Sequence, residues 1–226
     1  MAAWDINSRT ISLVQMRNPL IFKFGGASVK DAESVKNVAK IIGQYDKRPI
    51  VVVVSAMGKT TNAFEEVVSA FVADKEGKEE QINTLLAGIQ EFHLGIINNL
   101  FDEPAEITSQ VKEFIESARK NTRQQYADYS EAYDAIVHHG ELISTRIIAA
   151  YVGLSIDTVW HDTKKLIKTD DHYRRATVQW EDTKQAIQTT IIEDSVHVVQ
   201  GFIGSTANEK PTTLGREGSD YTGAVF

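Results

Sequence analysis

Five consecutive β-branched residues, Ile50-Val-Val-Val-Val54, constrain this chain more than any other stretch of it. A strand with one wet face alternates apolar and polar residues, whereas an unalternating run has to be covered on both faces. That is the condition of a strand in a parallel sheet flanked by helices. A second run, Leu20-Ile-Phe-Lys-Phe24, is broken by Gly25-Gly26 and leads into a segment with apolar residues at Val35, Val38, Ala39 and Ile42. Their spacing is helical. After the valines come the turn-like Ser55-Ala-Met-Gly-Lys-Thr-Thr-Asn62 and an amphipathic stretch over 63–72. The chain therefore opens as strand, loop, helix, strand, loop, helix.

From 79 to about 150 the patterns are helical only, interrupted at Asp102-Glu-Pro104, at Asn121-Thr122 and at His139-Gly140. Strand-type runs return in Ser155-Ile-Asp-Thr-Val-Trp160 and Ser195-Val-His-Val-Val-Gln200, with a helical pattern near 177–191 between them. The last segment, Gly218-Ser-Asp-Tyr-Thr-Gly-Ala-Val-Phe226, reads as a loop entering a helix that has just begun. Helices normally close on a Gly, Asn or cationic cap, so the chain is expected to stop within its domain. No repeat or Pro-rich linker divides it. The expected fold is a three-layer α/β/α sandwich with a mainly parallel sheet and a helical insertion. Residues 1–19 are set apart as an extension of unknown role, and 20–226 as one domain cut short at its C-terminal end.

Composition removes several function classes. With 24 Lys plus Arg against 31 Asp plus Glu the net charge is −7, so a general nucleic-acid surface is not expected and any bound anion needs a few local cations. The absence of cysteine excludes a disulfide framework, a thiolate zinc site, an iron–sulfur cluster and a Cys nucleophile, and fits a reducing cytoplasm. No stretch approaches the roughly 18 unbroken apolar residues that a membrane helix requires, so no membrane partner is expected.

Three loops follow predicted strands and combine small residues with polar ones, the place where open α/β sheets bind ligands. In Lys23-Phe-Gly-Gly-Ala-Ser28 the glycines let backbone N–H groups approach a phosphate, the next helix offers its positive end, and Lys23 adds a cation. A purely structural Gly-Gly turn is the plain alternative. The loop 55–62 contains Gly58-Lys59-Thr60, but a P-loop would need glycine where Val53 stands. What remains is a set of hydroxyls, Ser55, Thr60 and Thr61, suited either to a small polar substrate or to helix capping. In Thr212-Thr-Leu-Gly-Arg-Glu-Gly-Ser-Asp220, Arg216 offers a planar fork to a carboxylate or phosphate, while Gly215 and Gly218 keep the backbone thin around it. A surface turn with a local Arg–Asp pair is the alternative there.

His138-His-Gly-Glu141 contains metal-ligand types, yet adjacent helical residues point about 100° apart and no third ligand stands at helical spacing. No metal site is expected. Glu141 is better read as a carboxylate near the start of a helix over 142–150, either capping it or meeting an amine.

Taken in order, Lys23-Phe-Gly-Gly-Ala-Ser-Val29, Val54-Ser-Ala-Met-Gly-Lys-Thr-Thr-Asn62, His139-Gly-Glu-Leu-Ile-Ser-Thr145, Gly201-Phe-Ile-Gly204 and Thr212-Thr-Leu-Gly-Arg-Glu-Gly-Ser-Asp-Tyr-Thr222 resemble the aspartokinases of the amino-acid kinase fold. The resemblance covers all but the leader. It implies phosphorylation of L-aspartate to aspartyl 4-phosphate, with ATP and Mg²⁺ as co-substrate, at the head of the lysine, threonine and methionine pathways. It places Lys23 on the transferring phosphate, with Phe24, Gly25, Gly26, Ser28 and Gly204 around the nucleotide phosphates and Asp220 orienting Lys23. Ser55, Thr61, Glu141, Arg216 and Ser219 would hold aspartate, with Glu141 on its ammonium and Arg216 on a carboxylate. Two departures are visible: Ala27 where the family often has Thr, and Glu217 where it often has a second Gly. Aspartokinases continue past this point into the rest of the nucleotide half and regulatory domains, so the chain alone is expected to be weakly active or inactive. A glutamate 5-kinase, acetylglutamate kinase or uridylate kinase, and a non-catalytic binding module, are the competing readings. A homo-oligomer is left open.

Overall fold

The computed structural model describes residues 19–73, 75–191 and 194–226. Strand β1 (Leu20–Phe24) pairs in parallel with β2 (Ile50–Val54), β2 with β4 (Val196–Gln200), and β4 with β3 (Thr158–Trp160). The sheet order is β1-β2-β4-β3, so the chain leaves the centre at β2, reaches the far edge at β3 and returns between them. All five residues of β2 are buried, as an unalternating apolar run requires, and so are all five of β4, the polar His197 and Gln200 included. Burial of each Val or Ile side chain is worth roughly 1.5–3 kcal/mol.

The two faces of β2 enter different clusters. Ile50, Val52 and Val54 pack with Val38 and Ile42 of α1 (Ala32–Ile42), Phe64 and Val68 of α2 (Thr60–Val72), and Ile143 and Ile147 of α6 (His139–Val152). Val51 and Val53 face Leu166 and Val199, with Ile187 of α7 (Trp180–Thr190), Ile191 and the terminal Phe226 at the margin. Helices on both faces of a parallel sheet make the three-layer sandwich expected from the sequence. Helices α3 (Lys78–Leu100), α4 (Ala105–Asn121) and α5 (Tyr129–Val137) extend the first layer, α3 packing on both α2 and α4. Asp31 and Asp128 start α1 and α5 by accepting backbone N–H bonds, from Ser34 at 2.8 Å and from Ser130 and Glu131 at 2.8 and 3.0 Å.

Four details depart from the sequence reading. The strand expected over 155–160 shrinks to its last three residues, because Ser155 and Ile156 still donate to Val152 at the end of α6. The helix break falls at His138, so Gly140 and Glu141 lie inside the first turn of α6. Between β4 and the end of the chain, β5 (Ile203–Ser205) and β6 (Pro211–Thr213) form an antiparallel hairpin where loops were expected. Their Gly, Ser, Pro and Thr content carries no strand pattern. Finally, 218–225 is already helix (α8, Gly218–Val225), lying against β1 and β2. The leader expected over 1–19 lies, except for Pro19, outside the described residues. None of the described helices is long and apolar enough to cross a membrane.

Candidate active site

Adjacent parallel strands β1, β2 and β4 end together, and the residues just past their carboxyl ends, Gly25, Ser55 and Gly201, are neighbours. The Ser55 N–H donates to the Phe24 carbonyl at 3.1 Å and the Gly201 N–H to the Val54 carbonyl at 2.9 Å. Gly26 answers a steric demand from the second loop: a Cβ on it would lie 2.6 Å from the Ala56 carbonyl oxygen, and its own carbonyl accepts the Gly58 N–H at 3.0 Å. No side chain fits there. The first two loops are therefore one packed unit.

Lys23 alternates away from Phe22 and Phe24 and lies under α8, its Cβ 4.0 Å from the position a Gly223 Cβ would take. Its ammonium reaches both carboxylate oxygens of Asp220, at 3.1 and 3.2 Å, and turns back over Gly25. One residue before Asp220, Ser219 presses on the third strand end: a Cβ on Gly201 would come within 2.5 Å of its Oγ. That same oxygen accepts a hydrogen bond from the Ser55 hydroxyl at 2.9 Å. Phe202, next to Gly201, holds a left-handed φ of 74°, fixed by its N–H to the Thr222 hydroxyl at 3.0 Å and its carbonyl to the Leu214 N–H at 2.8 Å.

The opposite flank is α6. Gly140 lets the helix settle on the second loop, where a Cβ would meet that of Ala56 at 3.2 Å. Glu141 is 2% exposed; one oxygen accepts the Ala56 N–H at 3.3 Å and the other has no partner. Burial pushes its carboxyl up to about 8. One turn on, the Ser144 hydroxyl donates to the Ser55 carbonyl at 2.8 Å. Thr145 accepts from the Gln200 amide at 2.7 Å and from the Trp160 indole N–H at 3.0 Å. Gln200 also accepts the Thr163 N–H at 2.7 Å, so this buried amide ties α6 to the end of β4. A helix fixed at three points thus carries a carboxyl with one buried oxygen that no hydrogen-bond donor fills.

Contacts thus link Lys23, Gly25, Ser55, Glu141, Ser219 and Asp220 into one chain of neighbours. Phe24 ends β1 beneath them, its carbonyl holding Ser55. Ser28 is exposed on the first loop with its N–H given to the Gly25 carbonyl at 2.8 Å, and Thr61 is half-buried in the first turn of α2. Arg216 is exposed in the turn before α8. Gly204 lies in β5, where a Cβ would come within 2.9 Å of the Ile167 carbonyl and of Thr169. Glu217 takes a left-handed φ of 58°, the region glycine enters without strain. Its departure from the family pattern is therefore conformational as well as electrostatic. Among the described residues no ion pair joins it to Arg216.

His138 and His139 are buried, their Nδ1 atoms on the Asp134 and Ile136 carbonyls at 2.9 and 3.0 Å. Burial brings His139 down to about 4 and holds His138 well below its ordinary value, so both rings are neutral. Among the described residues no group of three or more His, Asp and Glu gathers in metal-binding geometry. Sequence reasoning gave no role to Ser144, Thr145 and Gly201, which stand in the motifs quoted above, or to Gln200. Ser144, at i+3 from Glu141, was open to discovery by helical spacing; the Gln200 contacts run between segments far apart in sequence.

A parallel sheet whose strand ends gather a lysine, glycines and acids matches what similarity to known proteins shows. Residues 18–226 match the amino acid kinase family, and the chain belongs to that family. Within it, the chain is 34% identical over 219 residues to Aspartokinase 1, chloroplastic, of Arabidopsis thaliana, covering 91% of this chain and 37% of that protein. It is 30% identical over 218 residues to the lysine-sensitive aspartokinase 3 of Escherichia coli K12, covering 93% and 46%. The crystal structure of E. coli aspartokinase III in complex with aspartate and ADP superposes with a TM-score of 0.80 at 27% identity, over 92% of this chain and 46% of that one. The chain spans less than half the length of these relatives.

Proposed function

We propose that this chain carries the aspartate-binding and phosphoryl-transfer groups of an aspartate kinase. A side-chain carboxylate oxygen of L-aspartate attacks the γ-phosphorus of ATP, the bond from that phosphorus to the β,γ-bridging oxygen breaks, and aspartyl 4-phosphate and ADP result. The attacking oxygen is already an anion, so no general base is needed; positioning and charge compensation are the task. Mg²⁺ enters with ATP as part of the co-substrate. A unit charge pair at 4 Å is worth roughly 4 kcal/mol at an effective dielectric of 20, so one or two placed cations decide the rate.

Lys23, aimed by Asp220, compensates the transferring phosphoryl group, with Phe24, Gly25, Gly26, Ser28 and Gly204 assigned to the nucleotide phosphates. Glu141 receives the aspartate ammonium, Arg216 a carboxylate, and Ser55, Thr61 and Ser219 its remaining oxygens. The observation that carries the reading is the buried Glu141, one oxygen unpartnered and the other on the Ala56 N–H, next to Ser55, whose hydroxyl reaches Ser219 beside the Lys23–Asp220 pair. A buried acid with an unfilled acceptor beside a cation held by an exposed partner suits a zwitterion facing a phosphate. The similarity to an aspartokinase solved with aspartate and ADP supports the same assignment. A cytoplasmic location goes with a chain that has no cysteine, and a chloroplast, named for the plant relatives, is the alternative compartment.

Binding and turnover are tested separately, since the chain spans less than half of each aspartokinase it resembles. Calorimetry of this chain should detect L-aspartate, with L-glutamate at least about tenfold weaker because its side chain sets the two carboxylates one methylene further apart. No aspartate heat, or a preference for glutamate or a nucleoside monophosphate, overturns the reading in favour of another member of the fold. Aspartate binding without ADP release in a coupled assay would leave a binding module.

A further inference from the structure

Asp134 lies seven residues before Glu141 and is fully buried on α5. Its carboxylate serves two other segments. Oδ2 accepts the N–H of Thr213 at 2.8 Å and that of Arg174 at 2.9 Å, and Oδ1 accepts the Thr213 hydroxyl at 2.7 Å. Thr213 ends β6, three residues before Arg216. Arg174 stands at a left-handed φ of 65°, and its carbonyl oxygen is 3.0 Å from the place of a Cβ on Gly215, itself at φ 78°. Asp134 thus grips both the strand that enters the Arg216 turn and the loop that backs it. The Arg174 guanidinium, 4.6 Å from the centre of the Tyr133 ring, fastens that loop to α5 a second time.

A buried carboxylate is costly unless its acceptor sites are filled, and here donors from two separate segments fill them. The other end of the same helical unit is α6, which carries Glu141. We infer that Asp134 is a positioning residue: by latching Thr213 and Arg174 to α5 it sets the spacing between the Arg216 turn and Glu141, and so the spacing of the subsites for the carboxylate and the ammonium of the amino acid. The inference rests on the aspartate reading above. Geometry rather than charge does the holding, because an amide in the same place can accept both N–H groups and donate to the Thr213 hydroxyl, which is acceptor as well as donor.

Three variants of this chain test it. Asp134→Ala should weaken aspartate binding about tenfold or more while affinity for a non-hydrolysable ATP analogue stays within about twofold, and Asp134→Asn should restore aspartate affinity to within about threefold of the parent. Should Asp134→Ala fail to fold, Thr213→Val, which removes one donor of the three, should still weaken aspartate by about two- to fivefold. Equal loss of both ligands, an unaffected aspartate affinity in Thr213→Val, or an Asp134→Asn as weak as Asp134→Ala overturns the inference. If the parent chain binds no aspartate, the functional reading fails instead, and amide hydrogen exchange judges the latch without any ligand. Exchange at Thr213 and through 214–220 should then rise at least about tenfold in Thr213→Val or Asp134→Ala relative to the parent and Asp134→Asn; unchanged exchange overturns it.

Discussion

Glu141 in the first turn of α6 and Lys23 near the end of β1 flank the same strand ends and are held in opposite ways. Glu141 is 2% exposed, fixed on a helix whose neighbours Ser144 and Thr145 are themselves hydrogen-bonded, and one of its oxygens meets nothing. Lys23 and Asp220 form an ion pair with side chains 29% and 63% exposed, on a strand end and a terminal helix. The buried flank is preformed and keeps one acceptor oxygen unfilled. The open flank is satisfied by its own partner and stays accessible to solvent. Under the proposed function, selectivity for the amino acid is assigned to α6 and compensation of the phosphoryl group to β1 and α8.

The sharpest way to break that contrast is Glu141→Ala. Removing one partner of a buried charge contact typically costs about 2–5 kcal/mol, so aspartate affinity should fall by about 30-fold or more while ATP-analogue affinity holds. Equal loss of both, measured by calorimetry, means that α6 does not discriminate. Lys23→Ala should act on the other quantity: in a protein that turns over, kcat should drop well over tenfold with little change in aspartate affinity, and an unchanged kcat rejects the role. Gly201→Ala attacks the junction between the flanks. With no room beside Ser219, it should cost about 1–3 kcal/mol of stability in denaturant unfolding; a neutral result would mean that α8 shifts freely.

A pH comparison sharpens the buried side. In the folded chain Glu141 keeps its proton up to about pH 8, whereas unfolded it ionises near 4.5. Between those values the unfolded state binds fewer protons, so this stabilisation is complete below 4.5 and fades as pH rises through 8. Relative to Glu141→Gln, the parent chain should lose about 5 °C of Tm between pH 6.5 and 8.5, and saturating aspartate should flatten the slope by supplying an ammonium. Parallel curves for the two proteins would place Glu141 in contact with water. The variant comparison isolates it from His93 and His139, which burial holds at about 4 and whose effect ends at lower pH. The smallest effect belongs to the exposed pair: Asp220→Asn should change stability by less than about 1 kcal/mol, as exposed ion pairs do, and a larger loss would make it a structural bond.

Much of this molecule was legible in its residues. The valine run dictated a doubly covered strand, the spacing of Val35, Val38 and Ile42 dictated α1, and small residues after each strand marked the loops that contain Lys23, Ser55 and Ser219. The β5–β6 hairpin was illegible because Gly204, Thr212 and Thr213 carry no alternation; their burial comes from Ile167, Thr169 and Asp134, which are distant in sequence. Glu141 was visible as a carboxylate near a helix start, but whether it capped that helix or waited for an amine was not.

By itself the sequence determined the local propensities and the two-faced burial of the central strands, since β-branched runs and helical spacings are properties of neighbouring residues. Only the tertiary structure decided which carboxyl would be left with an open oxygen beneath the surface and which would be paired in water. Solvation depends on what other segments cover, and α6 is covered by loops 85 residues away, as the Ala56–Glu141 contact records.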